Sequence, residues 1–385
     1  MTQAHQTSLR LPRTRELFFY LLLLFLFAMI LRNPEIAIRS VQTGLLLCAR
    51  SAIPSLFPFM VLSELLTESG LSTFLGRTVG RPLSRPLSLS PEGACALILG
   101  LACGFPVGTR SALALYDNGS LSKEELERIL CFCNVPSSAF LVSAIGISLY
   151  GNRRFGMILY GACIASSLLI GFVLAKRVKK DEPPRPAPLS ARKTLGASTF
   201  THAISTATSA MLSVCAYILF FSSVIGSLSY ALAPFNLPQE ASTLFCGLLE
   251  MTSGTAAAAT IPSPQTSAAL CAFLVGFGGL SVHFQLISFC DGRKLNLTSY
   301  FLAKLTQGVL CATAIVLLFP IAPHLIQKGE SVSAFSYTHF PSRYTTICLI
   351  CFFASLLILT LSLVFRIRNH KIKKPERDCV RAWSW

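Results

Sequence analysis

The sequence predicts an all-α polytopic membrane protein: two pseudo-repeats with re-entrant or broken helices, and about 8–10 membrane segments. Three observations carry this. The 385 residues are 52% hydrophobic and only 13% charged, against roughly 25% charged in soluble domains. Several apolar runs reach about 20 residues, the length that crosses a bilayer as a helix. Two polar, glycine-broken patches also interrupt apolar sequence at matching places in the two halves. One comprises 100–110 with 133–138, the other 247–254 with 275–285. Paired interruptions of this kind are the best sequence pointer to a transport site.

The net charge of +16 is concentrated at span ends, as the positive-inside rule requires. It therefore indicates a lipid bilayer as partner and no nucleic acid. Most of the fourteen cysteines lie in or beside apolar runs, where a thiol packs as a small hydrophobe. Cys348 and Cys351 have CxxC spacing but no second pair, and read as packing. No metal or cofactor is expected, although a coupling proton or sodium ion fits the class.

The elements follow in order. Arg10, Arg13 and Arg15 precede the apolar run 17–31. No small-x-small cleavage site follows, so a retained first span is expected, with residues 1–16 as a cytoplasmic N-terminus. The first membrane half covers 17–175. Residues 35–49 mix apolar positions with Arg39, Gln42 and Thr43 and read as an interfacial helix, broken by Pro54. An apolar half-span with Glu64 follows at 56–66, and 72–87, with Arg77, Arg81 and Arg85, reads as a surface segment. Next come a helix at 92–103, a break at 104–108, a continuation to Tyr116 and a turn at 117–119. Ser122 and Glu125 form a capping box for a helix to about Cys133. Asn134 to Ser138 then break the chain before the apolar stretch 139–149 and a clean span at 155–175.

A basic, Pro-rich linker at 176–198, expected in the cytoplasm, separates the halves. The second membrane half covers 199–365. Residues 199–232 read as a small-residue-rich helix. Residues 244–249 lead into Glu250 and a break at 252–254. Pro262 and Pro264 mark a turn, 267–274 lead to a second break at 276–279, and 281–289 continue it. A span at 296–319 carries Lys304 and Gln307, 344–365 is the last span, and 366–385 form a basic cytoplasmic tail. Each half carries Gly-Leu followed by a second glycine: Gly100 and Gly108 in one, Gly247 and Gly254 in the other. A re-entrant hairpin plus an unwound span in each half would account for this.

A helix that stops inside the bilayer leaves backbone donors and acceptors unpaired, so each break must face protein, water or ligand. The N-terminus of a half-helix presents N–H groups and partial positive charge, which suits a carboxylate. The candidate substrate residues are Gly104, Pro106, Gly108, Arg110, Asn134, Ser137, Ser138, Thr252, Ser253, Gly254, Gly279, Ser281, His283 and Gln285. Glu250 is the candidate coupling acid, since an acid at that depth costs about 2.5–3.5 kcal/mol on insertion scales. The alternative for Glu250 is a structural acid bonded to a neighbouring helix or to Lys304. Arg110 could meet an anion or lie beside Asp117. His283 and Gln285 are two apart and diverge on a helix, so both reach one cavity only from an unwound segment. Asn134, Ser137 and Ser138 could equally cap the following half-helix. No nucleophile–base set is present, so no enzyme is expected.

Leu56-Phe-Pro-Phe59, Gly104-Phe-Pro-Val-Gly108, the capping-box helix ending at Cys133-Asn134, Gly247-Leu-Leu-Glu250 and Gly279-Leu-Ser-Val-His-Phe-Gln285 together resemble the sporulation integral membrane protein YlbJ family. The resemblance covers roughly residues 35–319. It implies a "nucleoside recognition", or Gate, domain and a layout similar to concentrative nucleoside transporters. The implied role is secondary transport of a small anionic metabolite, dipicolinic acid, across the outer forespore membrane. The alternatives are a carrier of nucleosides or other small metabolites, and a non-transporting structural protein of sporulation, with a homo-oligomer or sporulation membrane partners. The chain departs from the family pattern in its Cys-rich spans and at Phe284.

Overall fold

A computed structural model describes residues 14–69, 78, 80–176 and 196–325. The linker, the predicted span at 344–365 with its CxxC pair, and both charged termini lie outside the described residues, as do Arg10, Arg13 and Arg77.

Among the described residues the chain is helical, with no strand. Four helices are long and apolar enough to cross a membrane: Arg153–Ala175, Ala197–Phe235, Pro264–Phe289 and Thr298–Leu318. A fifth candidate is bent by 97° between Tyr20–Arg32 and Pro34–Leu47, and shorter apolar helices add half-spans. Large apolar side chains such as Leu212, Leu302 and Leu317 remain 63–65% exposed, which suits a surface solvated by lipid rather than water. The protein is thus an integral membrane protein.

In chain order, α1 is Thr14–Arg32, α2 Pro34–Leu47, α3 Ile53–Glu68, α4 Arg81–Leu87, α5 Pro91–Cys103, α6 Val107–Asp117 and α7 Lys123–Leu130. A π-helical segment, Phe140–Leu149, and α8, Arg153–Ala175, complete the first half. In the second half α9 is Ala197–Leu232, α10 Gln239–Leu249, α11 Met251–Ala259, α12 Pro264–Phe277, α13 Gly279–Phe289 and α14 Thr298–Leu318.

Two local features differ from expectation. Pro54 does not end a helix: the chain stays helical from α2 through it into α3. A five-residue π-helical stretch, Cys48–Ala52, joins α2 to α3 instead. The capping box at α7 is half made. Ser122 Oγ accepts from Glu125 N at 3.1 Å, but the Glu125 carboxylate reaches across to Ser90 N at 2.6 Å.

The long α9 packs along α2 and α3, and α12 packs along α14. One buried cluster spans both halves, with Phe132, Leu159 and Cys163 from the first and Cys271, Val275 and Cys311 from the second. Cross-half polar ties accompany it. Tyr150 Oη donates to Ser267 O at 3.1 Å, and Gln307 Nε2 donates to Cys163 O at 3.2 Å.

Candidate functional site: two hairpin tips and two broken spans

Each half builds the same unit. In the first, α5 ends at Cys103, the chain turns through Gly104 and a cis Phe105–Pro106 peptide, and α6 starts at Val107. Gly100 and Gly108 would be about 12 Å apart along a continuous helix. Instead, a Cβ on Gly108 would lie 2.6 Å from Gly100 Cα, so the segments fold back as a hairpin. In the second half the turn is Glu250 alone, extended at φ −145° and ψ 119°. There a Cβ on Gly254 would overlap Gly247 Cα. The two glycine pairs noted in the sequence therefore occupy the same place: the crossing of each hairpin.

A break in the chain receives each hairpin tip. On the first side the break at 131–138 separates the short, charged α7, which lies outside the candidate membrane spans, from the apolar π-helical segment. Phe105 N donates to Val135 O at 2.8 Å, and Gly104 lies so close on Ser137 that its absent Cβ would stand 2.6 Å from Ser137 Cα. Gly104 also has φ +84°, a backbone state that glycine alone adopts at low cost. On the second side the span passes from α12 to α13 through Gly278, at φ +95°. A Cβ on Gly279 would stand 3.0 Å from both Gly247 O and Met251 N, at the second tip.

The breaks are narrower than the sequence suggests. Gly108 is already helical in α6, Gly276 is helical in α12, and Thr252, Ser253 and Gly254 form the first turn of α11. These glycines serve close packing rather than unwinding: a Cβ on Gly276 would lie 2.8 Å from Gln307 O.

Glu250 is 2% exposed. Its carboxylate accepts from Thr252 N at 2.9 Å and from Ser253 N at 2.7 Å, capping the helix it precedes. It does not bond Lys304, so the structural alternative takes the form of a self-cap. The N-terminus of α11 thus already holds a carboxylate, its own.

Arg110 is engaged too. Its Nε and Nη2 donate to Glu64 Oε1 at 2.9 and 2.5 Å, and its guanidinium lies 5.8 Å from the Phe289 ring centroid. Asp117 pairs with Arg293 rather than Arg110.

Asn134 Nδ2 donates to Leu130 O at 2.9 Å, and Thr109 Oγ1 donates to Asn134 Oδ1. Ser137 Oγ accepts from Phe140 N at 3.2 Å, capping the next segment. Ser138 and Thr252 are half-buried, and Pro106 is buried at the first tip.

The α13 residues separate by face. Gly279–Phe289 is regular helix, so His283 and Gln285 diverge rather than sharing a cavity from an unwound segment. The His283 ring Nδ1 lies 2.8 Å from Tyr300 Oη, and the ring packs edge-on to Phe277 and Phe301. Ser281 and Gln285, four apart, share another face and are both buried. Among the described residues, seven buried side-chain atoms have no hydrogen-bond partner: Arg128 Nε, Ser222 Oγ, Ser227 Oγ, Ser253 Oγ, Ser281 Oγ, His283 Nε2 and Gln285 Oε1. Such groups are rarely left unpaired when buried, and three of the seven residues lie in the first two turns of α13.

Lys304, not singled out as a site residue, is the group that brings the two breaks together. It is 2% exposed, and its Nζ donates to Asn134 O in the first break at 2.8 Å and to Gln307 Oε1 at 2.7 Å. Its Cε lies 3.9 Å from where a Cβ on Gly278 would be, in the second break. The signal was present in the sequence: a lysine inside a lipid-length apolar helix marks a functional position by default.

Over 330 residues the chain is 27% identical to the sporulation integral membrane protein YlbJ of Bacillus subtilis (strain 168), covering 77% of this chain and 81% of that protein. The chain is similar to that YlbJ protein over most of its length. No family model matches the chain, and no solved structure matches it. Phe284 is 45% exposed and stacks on Phe221 of α9 with centroids 6.1 Å apart. It therefore sits on the outer face of α13, away from the buried polar side chains. The cysteines pack as hydrophobes, with Cys95, Cys133, Cys163, Cys271 and Cys311 fully buried.

Proposed function

We propose that this YlbJ-like protein is a secondary transporter, not an enzyme, and that it moves a small anionic metabolite by alternating access between its halves. The cargo in this reading is dipicolinic acid, and the setting is endospore formation at the outer forespore membrane, with both termini cytoplasmic. One observation carries the reading. Two hairpin tips, at Gly104 and Glu250, dock on two breaks in the chain, and unpaired buried polar groups lie at the second junction. Discontinuous backbone at membrane depth is tolerated where it lines a ligand path.

In this reading Ser253, Ser281 and Gln285 supply neutral hydrogen bonds to the cargo, and the break at 134–138 closes over it. Glu250 is the coupling acid. Protonation would weaken its two backbone acceptor bonds and loosen the second hairpin tip, linking a proton to a backbone movement. A nucleoside is the second cargo class, favoured by the neutral character of Ser253, Ser281 and Gln285.

The test is uptake into liposomes by the purified chain, with labelled dipicolinate, uridine as competitor, and imposed pH or sodium gradients. Saturable, gradient-driven dipicolinate uptake supports the reading. Uptake blocked by uridine moves the cargo to nucleosides. Correctly folded protein that moves neither would leave a structural role in the sporulation membrane.

A further inference from the structure

Lys304 lies buried where the two breaks meet, and its described contacts are all neutral. Both of its bonded acceptors, Asn134 O and Gln307 Oε1, are uncharged. The ion pairs among the described residues involve Arg110, Lys123, His202 and Arg293, and none involves Lys304. The acid at the second hairpin tip is committed to its own helix, through Thr252 N and Ser253 N. The cation at the first hairpin is committed to Glu64. An ammonium has three donor directions, and two are used. On α13, which begins just past Gly278, Ser281 and Gln285 carry buried polar atoms without partners, and the contacts of Lys304 itself supply no negative charge.

A buried cation without a charged partner is expensive, and such groups in proteins pair or neutralise. A cargo carboxylate placed between the breaks would supply the missing charge and complete the third donor direction. We propose that Lys304 is the cargo-binding cation, which makes the junction selective for carboxylates over neutral molecules of the same shape. This rests on the transport reading above and adds to it the residue that senses charge. The competing role is a structural tie, in which the ammonium only staples α14 to the first break.

Gln307→Glu separates the two. It keeps the side-chain shape and the acceptor on Lys304, but gives the ammonium a resident counter-charge. Wild type, Q307E, K304Q and K304R would be reconstituted as full chains. Uptake of pyridine-2,6-dicarboxylate would be compared with that of the neutral pyridine-2,6-dicarboxamide, with insertion and thermal unfolding midpoints measured in parallel.

The proposal expects KM for the diacid to rise at least ~30-fold in Q307E and K304Q, in keeping with loss of a desolvated charge contact. It expects K304R to retain part of the diacid uptake, and the diamide to gain relative to the diacid in Q307E. A structural tie instead predicts Q307E with unchanged diacid KM and an equal or higher unfolding midpoint, and that result overturns the proposal even if K304Q fails to fold. Wild type that carries uridine but no carboxylate would remove the transport reading for anions, and this assignment with it. Wild type that carries the diacid with unaltered variants would remove this assignment alone.

Discussion

Gly247 and Gly254 touch across the second hairpin because the chain reverses at Glu250, and no side chain fits between them. A Cβ on Gly254 would overlap Gly247 Cα and lie 2.7 Å from Gly247 N. Gly100 and Gly108 stand in the same relation in the first hairpin, with Cys133 O completing the contact 2.7 Å from a Cβ on Gly108. The obstacles are backbone atoms, which cannot rotate aside as a side-chain terminus can.

Gly254→Ala and Gly108→Ala should each therefore destabilise the protein by about 1–3 kcal/mol or more, the cost of overpacking a filled interior. Gly161→Ala is the control. Gly161 lies within α8 with nothing within 4 Å of its would-be Cβ, so alanine should be neutral or stabilise by up to about 1 kcal/mol through helix propensity. Thermal unfolding in detergent reads all three. Equal midpoints would mean that the hairpins do not cross at these glycines.

Glu250→Gln keeps one carbonyl acceptor for the two N–H groups at the start of α11, while Glu250→Ala keeps none. Stability should fall slightly in the glutamine variant and by about 1 kcal/mol in the alanine variant, as for loss of an N-cap. Transport should respond differently: both variants should lose proton-driven accumulation. An E250Q protein that still concentrates cargo against a pH gradient would remove Glu250 as the coupling acid.

Arg110 and Glu64 tie the first hairpin to α3, and Ser63 and Ser111 add a hydroxyl contact at 2.9 Å beside them. Arg110→Gln leaves Glu64 without its partner in a half-buried setting and should destabilise, while the double variant E64Q/R110Q should recover much of the loss. In a double-mutant cycle the coupling should exceed the ~1 kcal/mol ceiling of exposed pairs. Additive effects would show that the pair contributes little.

Glu125 lies outside the membrane spans. Burial, opposed by its bonds to Ser90 and by Arg128 and reinforced by Glu92, pushes its carboxyl above the usual range. The folded state therefore holds the proton more tightly than the unfolded chain. The resulting stabilisation is fully present below the unfolded value and is lost as pH rises through the folded one. Glu125→Gln, which can still accept from Ser90 N, should lessen the fall in unfolding midpoint as pH rises from 4 toward 7. A wild-type midpoint flat across that window and matched by the variant would contradict this.

Much of the hairpin and break geometry could be read in the chain because its parts are local. A glycine pair flanking a turn, a proline beside it and a polar run inside apolar sequence announce a hairpin and a break wherever the chain later places them. Other features were less legible because they depend on partners. Glu250 reads as a stranded acid until its carboxylate is seen on Thr252 N and Ser253 N. Arg110 reads as an anion site until Glu64, distant in sequence, is found against it. His283 and Gln285 read as neighbours until the helix turns them to different faces.

The sequence by itself determined that this chain is helical and lives in a bilayer, and it pointed to glycine-flanked turns and breaks, because composition, run length and glycine spacing are properties of neighbours along the chain. Only the tertiary structure decided which charges are already answered and which is not. Coulomb attraction and hydrogen bonding act through space, so it took the packing of α14 across the first break to bring Lys304 to Asn134 O and to Gly278, and so to reveal a buried cation with neutral contacts.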